Sequence, residues 1–66
     1  MSVAKTIEII ASSTESIDAA IRDGIAKASE TVQGIESAWV QGTKAVVVNN
    51  EVTEWRVQLK LTFLVK

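Results

Sequence analysis

From Trp55 to Val65 every odd position is apolar, namely Trp55, Val57, Leu59, Leu61, Phe63 and Val65, while Glu54, Arg56, Gln58, Lys60 and Thr62 occupy even positions. Alternation this long predicts a strand that packs one face on a core and turns the other toward water, a ligand or another subunit. Function is therefore expected on the polar face. Near the N-terminus Val3, Ile7 and Ile9 alternate with Ala4, Thr6 and Glu8, which predicts a first strand with its apolar side on odd positions, interrupted at Lys5.

Between these strands the period changes. Ser12-Ser13-Thr14 offers a hydroxyl N-cap, with Glu15 three residues after Ser12, Ser16 three after Ser13, and Glu15 and Asp18 suited to a first helical turn. Ile17, Ile21, Ile25, Ala28 and Val32 then form one apolar stripe flanked by Asp18, Arg22, Asp23, Lys27 and Glu30. The pattern predicts an amphipathic helix of about five turns, closed near Gln33 by Gly34 as a left-handed cap. Gly24 falls inside that helix, where the absent side chain lets helix and sheet approach closely. A second strand is expected from Glu36 to Val48, and Asn49-Asn50 makes a tight turn into the last strand because asparagine tolerates positive φ.

The order strand, helix, strand, strand belongs to the α+β class: a β-α-β-β chain whose three-stranded antiparallel sheet carries one helix on its apolar face. One helix leaves the other face uncovered, so the polar side of the last strand is expected to line a subunit interface or an interior cavity.

Sixty-six residues with no cysteine and no histidine make one domain, residues 1–66, with neither disulfide nor ordinary zinc or haem site to reinforce it. Small domains without such staples rely on oligomerisation, and an apolar content of 47% points the same way. The missing thiol and imidazole remove the common nucleophile and base, so an enzyme is not expected. A net charge of −1 with scattered basic residues argues against nucleic acid, and no run approaches a membrane span or a signal peptide. A cytoplasmic location is the expectation. Asp18/Arg22 and Asp23/Lys27 stand at the spacing of helix-surface ion pairs.

Three stretches resemble the dodecin family over nearly the whole chain: Ser12-Ser13-Thr14-Glu15-Ser16-Ile17 with Ala20, Ile25-Ala26-Lys27-Ala28-Ser29, and Val52 to Phe63. The resemblance implies a hollow homododecamer with inward-facing sheets that binds and stores a flavin (riboflavin, FMN or FAD) without turnover. Flavin-binding dodecins stack the ring on a second-strand tryptophan and hold its edge with a last-strand glutamine. In this chain those positions fall at Ser37 and Arg56, and Trp39 lies one pleat beyond Ser37 on the same face. Ser37, Trp39 and Arg56 are thus the candidate flavin-binding residues. The plainer reading of Trp39 is an inter-subunit packing aromatic, with ring stacking second to it; Trp55 reads as a core or interface residue, and Arg56 as the partner of Glu54 or of a neighbouring carboxylate. The alternative the resemblance carries is a flavin-free, calcium-associated relative in which Glu8, Glu36, Glu51 and Glu54 converge only through symmetry, with no linear calcium motif and no metal residue assigned.

Overall fold

A computed structural model describes residues 3–65. Strand β1 (Val3–Ser13) leads into helix α1 (Ile17–Ala28), followed by the long strands β2 (Ile35–Val48) and β3 (Glu51–Val65). They form one antiparallel sheet in the order β1-β3-β2, so the strand with the strictest alternation lies at its centre. Val57, Leu59 and Leu61 of β3 are fully buried together with Ala20 of α1, and Ile7, Ile9, Ala11, Ile17, Ile21 and Ile25 pack around them. The odd positions of both β1 and β3 face the helix, as the alternation predicts.

The helix differs from its expected bounds at both ends. Ser12 and Ser13 remain in the sheet opposite Arg56 and Trp55. The cap falls to Ser16, whose Oγ accepts from the Ala19 N–H at 3.0 Å, while Ser13 Oγ accepts from the Glu15 N–H. A serine still held by the strand ladder cannot adopt the cap's role; Thr14 is also free of the ladder, but it is Ser16, in extended backbone directly before Ile17, whose hydroxyl reaches the first turn. At the other end α1 stops at Ala28, giving 12 residues, or about three turns. Ser29 Oγ donates to the Ala26 carbonyl at 2.7 Å and Thr31 Oγ1 to that of Ala28, local bonds that compete with continued helix. Gly34 does have positive φ, +79°, but it serves the entry to β2, where its carbonyl accepts from the Leu64 N–H at 3.2 Å. Its expected role as the helix cap is corrected accordingly; Ser29 occupies that place.

Of the two expected helix-surface pairs, Asp18 and Arg22 meet at 3.2 Å, whereas Lys27 turns to Glu30 at 3.4 Å instead of Asp23. Asn49 and Asn50 both have positive φ, 53° and 66°, as a two-residue hairpin turn requires. The last strand begins at Glu51, earlier than its alternation indicates, because pairing continues past the bulge between Val46 and Val47.

Candidate functional site

The sheet face away from α1 is built from the even positions of β1 and β3 and from their register partners on β2. Residues opposite one another in an antiparallel ladder share a face, so the register defines rows running across all three strands. Thr6, Thr62 and Ser37 form a row of hydroxyls; Glu8, Lys60 and Trp39 form the next. A bulge at Gln41 then restores Gly42 to this face opposite Gln58, with Ile10 on the other flank, and the following row is Ser12, Arg56 and Lys44.

The three sequence candidates therefore all lie on one face, but in different rows. Ser37 is exposed opposite Thr62. Trp39 is 64% exposed, a large aromatic surface facing away from the protein's own core. It is separated from Gln58 by one step along the ladder, a diagonal relationship within reach of long side chains. Arg56 is tied to Glu54, with both Nε and Nη2 at 2.8 Å from Glu54 Oε1. That ion pair on one strand face is the structural role the sequence offers for Arg56, and it fixes the guanidinium beside the depression described next.

An open depression of about 240 Å³ lies on this face, with Ile10, Gly42, Lys44, Arg56 and Gln58 among its lining residues. Gly42 matters here because a Cβ built on it meets nothing within 4 Å, so the floor beside Gln58 is clear. Ile10, 74% exposed, adds an apolar wall. Within the depression Gln58 supplies an amide that both donates and accepts, and Lys44 and Arg56 positive charge, while Trp39, in the neighbouring row and outside the lining, presents a ring face on the same side of the sheet. The arrangement suits a flat, partly polar ligand. Among the described residues no three histidine, cysteine or acidic side chains cluster to hold a metal within one chain.

Gln58, Gly42, Ile10 and Lys44 were not singled out from the sequence. Gln58 was the accessible one: it shares parity with Arg56 and is the glutamine of the last strand. The roles of Gly42 and Lys44 depend on the bulge at Gln41, which shifts the parity of β2 and which no periodic pattern reveals.

The comparisons with known proteins agree with this architecture. The sequence profile of the dodecin family matches residues 3–66. By sequence alone, no curated protein matches the chain. Among solved structures, dodecin from Streptomyces coelicolor superposes with a TM-score of 0.94 at 25% identity, covering 98% of this chain and 93% of that one. Dodecin from Streptomyces davaonensis gives 0.94 at 26% identity, covering 98% and 96%. A mutant dodecin from Thermus thermophilus gives 0.93 at 26% identity, covering 100% and 98%. A profile match over nearly every residue and a common β-α-β-β topology lead to one conclusion: the chain belongs to the dodecin family.

Proposed function

We propose that this chain is a small-ligand-binding dodecin that holds a flavin on the open face of its sheet, inside a homododecameric shell of its own copies, and stores it without turnover. The observation that carries the reading is Trp39, 64% exposed on the helix-free face and one ladder step from Gln58. Covering an indole with a second aromatic ring removes apolar area from water and adds a stacking term of about 0.5–1.5 kcal/mol. Gln58 then takes the part of the edge-binding glutamine, with Arg56 and Lys44 beside the same depression. Ser37, at the family's usual ring position, leaves space where another dodecin has its platform.

Relative to the family pattern, ring platform and amide have each moved two residues along antiparallel strands. Ser37 lies opposite Thr62, six residues from Arg56 on β3, whereas Trp39 lies opposite Lys60, two residues from Gln58. Platform and amide thus draw together, and one copy presents both. Calcium binding would have to draw its carboxylates from several copies, since among the described residues none converge within one.

The test is a titration of riboflavin, FMN and FAD with the purified protein, following flavin fluorescence and measuring the native mass of the same sample. Stacking on Trp39 gives saturable quenching. Unchanged fluorescence from an intact assembly overturns the flavin reading.

A further inference from the structure

The chain holds three glycines, and two of them have a structural reason to be glycine. Gly24 lies where a Cβ would meet that of Ala11 at 2.8 Å, and Gly34 has a φ of +79°. Gly42 has neither reason. Its backbone lies outside the left-handed region, so the bulge beside it does not demand glycine, and a Cβ built on it meets nothing within 4 Å. Yet it sits inside β2, where glycine offers its neighbours no side chain and costs conformational entropy. A strand glycine that neither crowding nor dihedral angle requires marks a place where something else comes close to the backbone.

We infer that Gly42 is a specificity-determining residue of the proposed site, bare so that a flat ring system stacked on Trp39 passes over the strand and reaches the Gln58 amide. Trp39 and Gly42 are successive residues of β2 on the open face, paired with Lys60 and Gln58. Those partners stand two residues apart, about 7 Å along the strand, a span that a fused three-ring system covers and a single ring does not. Gly42 lies directly opposite Gln58, where a side chain would set its Cβ about 4.5–5.5 Å from that of the glutamine and fill the depression both residues line. Ile10, 74% exposed, already stands on the other flank of Gln58. The glycine side is thus the open approach to the amide. Gln58, Lys44 and Arg56 converge around it, the few placed polar groups that orient a small molecule.

The inference rests on the flavin reading of this face, and the experiment separates the two. Riboflavin is titrated with the parent protein and with Gly42→Val, following flavin fluorescence, while native mass and melting temperature are measured on the same samples. Valine suits a pleated strand better than glycine, so Gly42→Val is expected to melt no lower than the parent and to keep its mass. Its affinity for riboflavin is expected to fall at least about tenfold, because the added side chain occupies the path of the ring. Affinity that falls together with the melting temperature or the mass would make the glycine a structural residue and overturn the inference. Riboflavin bound as tightly by Gly42→Val as by the parent overturns it too and leaves the flavin reading standing; a parent that leaves riboflavin fluorescence unchanged overturns both.

Discussion

Gly24 of the helix faces Ala11 of β1 so closely that a Cβ on the glycine would lie 2.8 Å from the alanine Cβ, with Ile9 Cδ1 at 3.4 Å and Leu59 Cδ1 at 3.5 Å. Neither Cβ can rotate away, so the helix would have to lift from the sheet. The approach sets the spacing of the two layers and hence the burial of Val57, Leu59 and Leu61 beneath α1.

Gly24→Ala is accordingly expected to destabilise the protein. Removing glycine from a helix interior gains about 1 kcal/mol, but forcing a methyl into a closed seam costs about 1–3 kcal/mol. A net loss of roughly 1 kcal/mol, read as a lower urea midpoint at unchanged m-value, is the expected result. A raised midpoint would show that the seam has room to yield.

Trp39→Ala is expected to weaken flavin binding at least about tenfold, equivalent to about 1.4 kcal/mol, while leaving the native mass unchanged. The paired variant Trp55→Phe, on the opposite face of the sheet, should keep the affinity. If fluorescence titrations instead show Trp55→Phe losing the ligand and Trp39→Ala keeping it, the platform has been assigned to the wrong face.

Ser37→Trp combined with Arg56→Gln installs the family's ring and edge residues at the positions this chain has altered. Ser37 is exposed on the open face, so the larger side chain meets no core, and Arg56 gives up only its partly exposed pair with Glu54, worth at most about 1 kcal/mol. The double variant should fold and quench flavin fluorescence more strongly than the parent. A folded variant with weaker quenching would mean that the site has been rebuilt around Trp39 in a way that excludes the usual geometry.

Ser16→Ala removes the helix cap and should cost about 1 kcal/mol, whereas the same change at Ser12, which stays in the sheet, should cost less. Thermal melts of the two variants compare them directly. A larger loss at Ser12 would contradict the observed helix start.

Much of the fold was legible in the sequence because it rests on periodicity. The odd positions of β3, the isoleucine stripe of α1, the asparagine turn and the close approach at Gly24 all follow from side-chain spacing and local φ preference. The helix ends were not legible, because several hydroxyls in a row each make a plausible cap, and how far the strand ladder runs and where the chain then turns decide which one meets the first turn. Arg56 and Glu54 could be paired from sequence since they sit two apart on one strand face; Lys27 could not, with Asp23 and Glu30 both within helical reach.

The sequence by itself determined that one strand would have a core face and a polar face, and that a single helix would cover the first. Tertiary structure alone decided how the polar face is composed. Pairing in the order β1-β3-β2 brings Glu8, Lys60 and Trp39 into one row and Ile10, Gln58 and Gly42 into the next. The bulge at Gln41 sets which β2 residues join them. The physical reason is that alternation is a local property of each strand, whereas register is fixed by which strands meet and where an extra residue is accommodated.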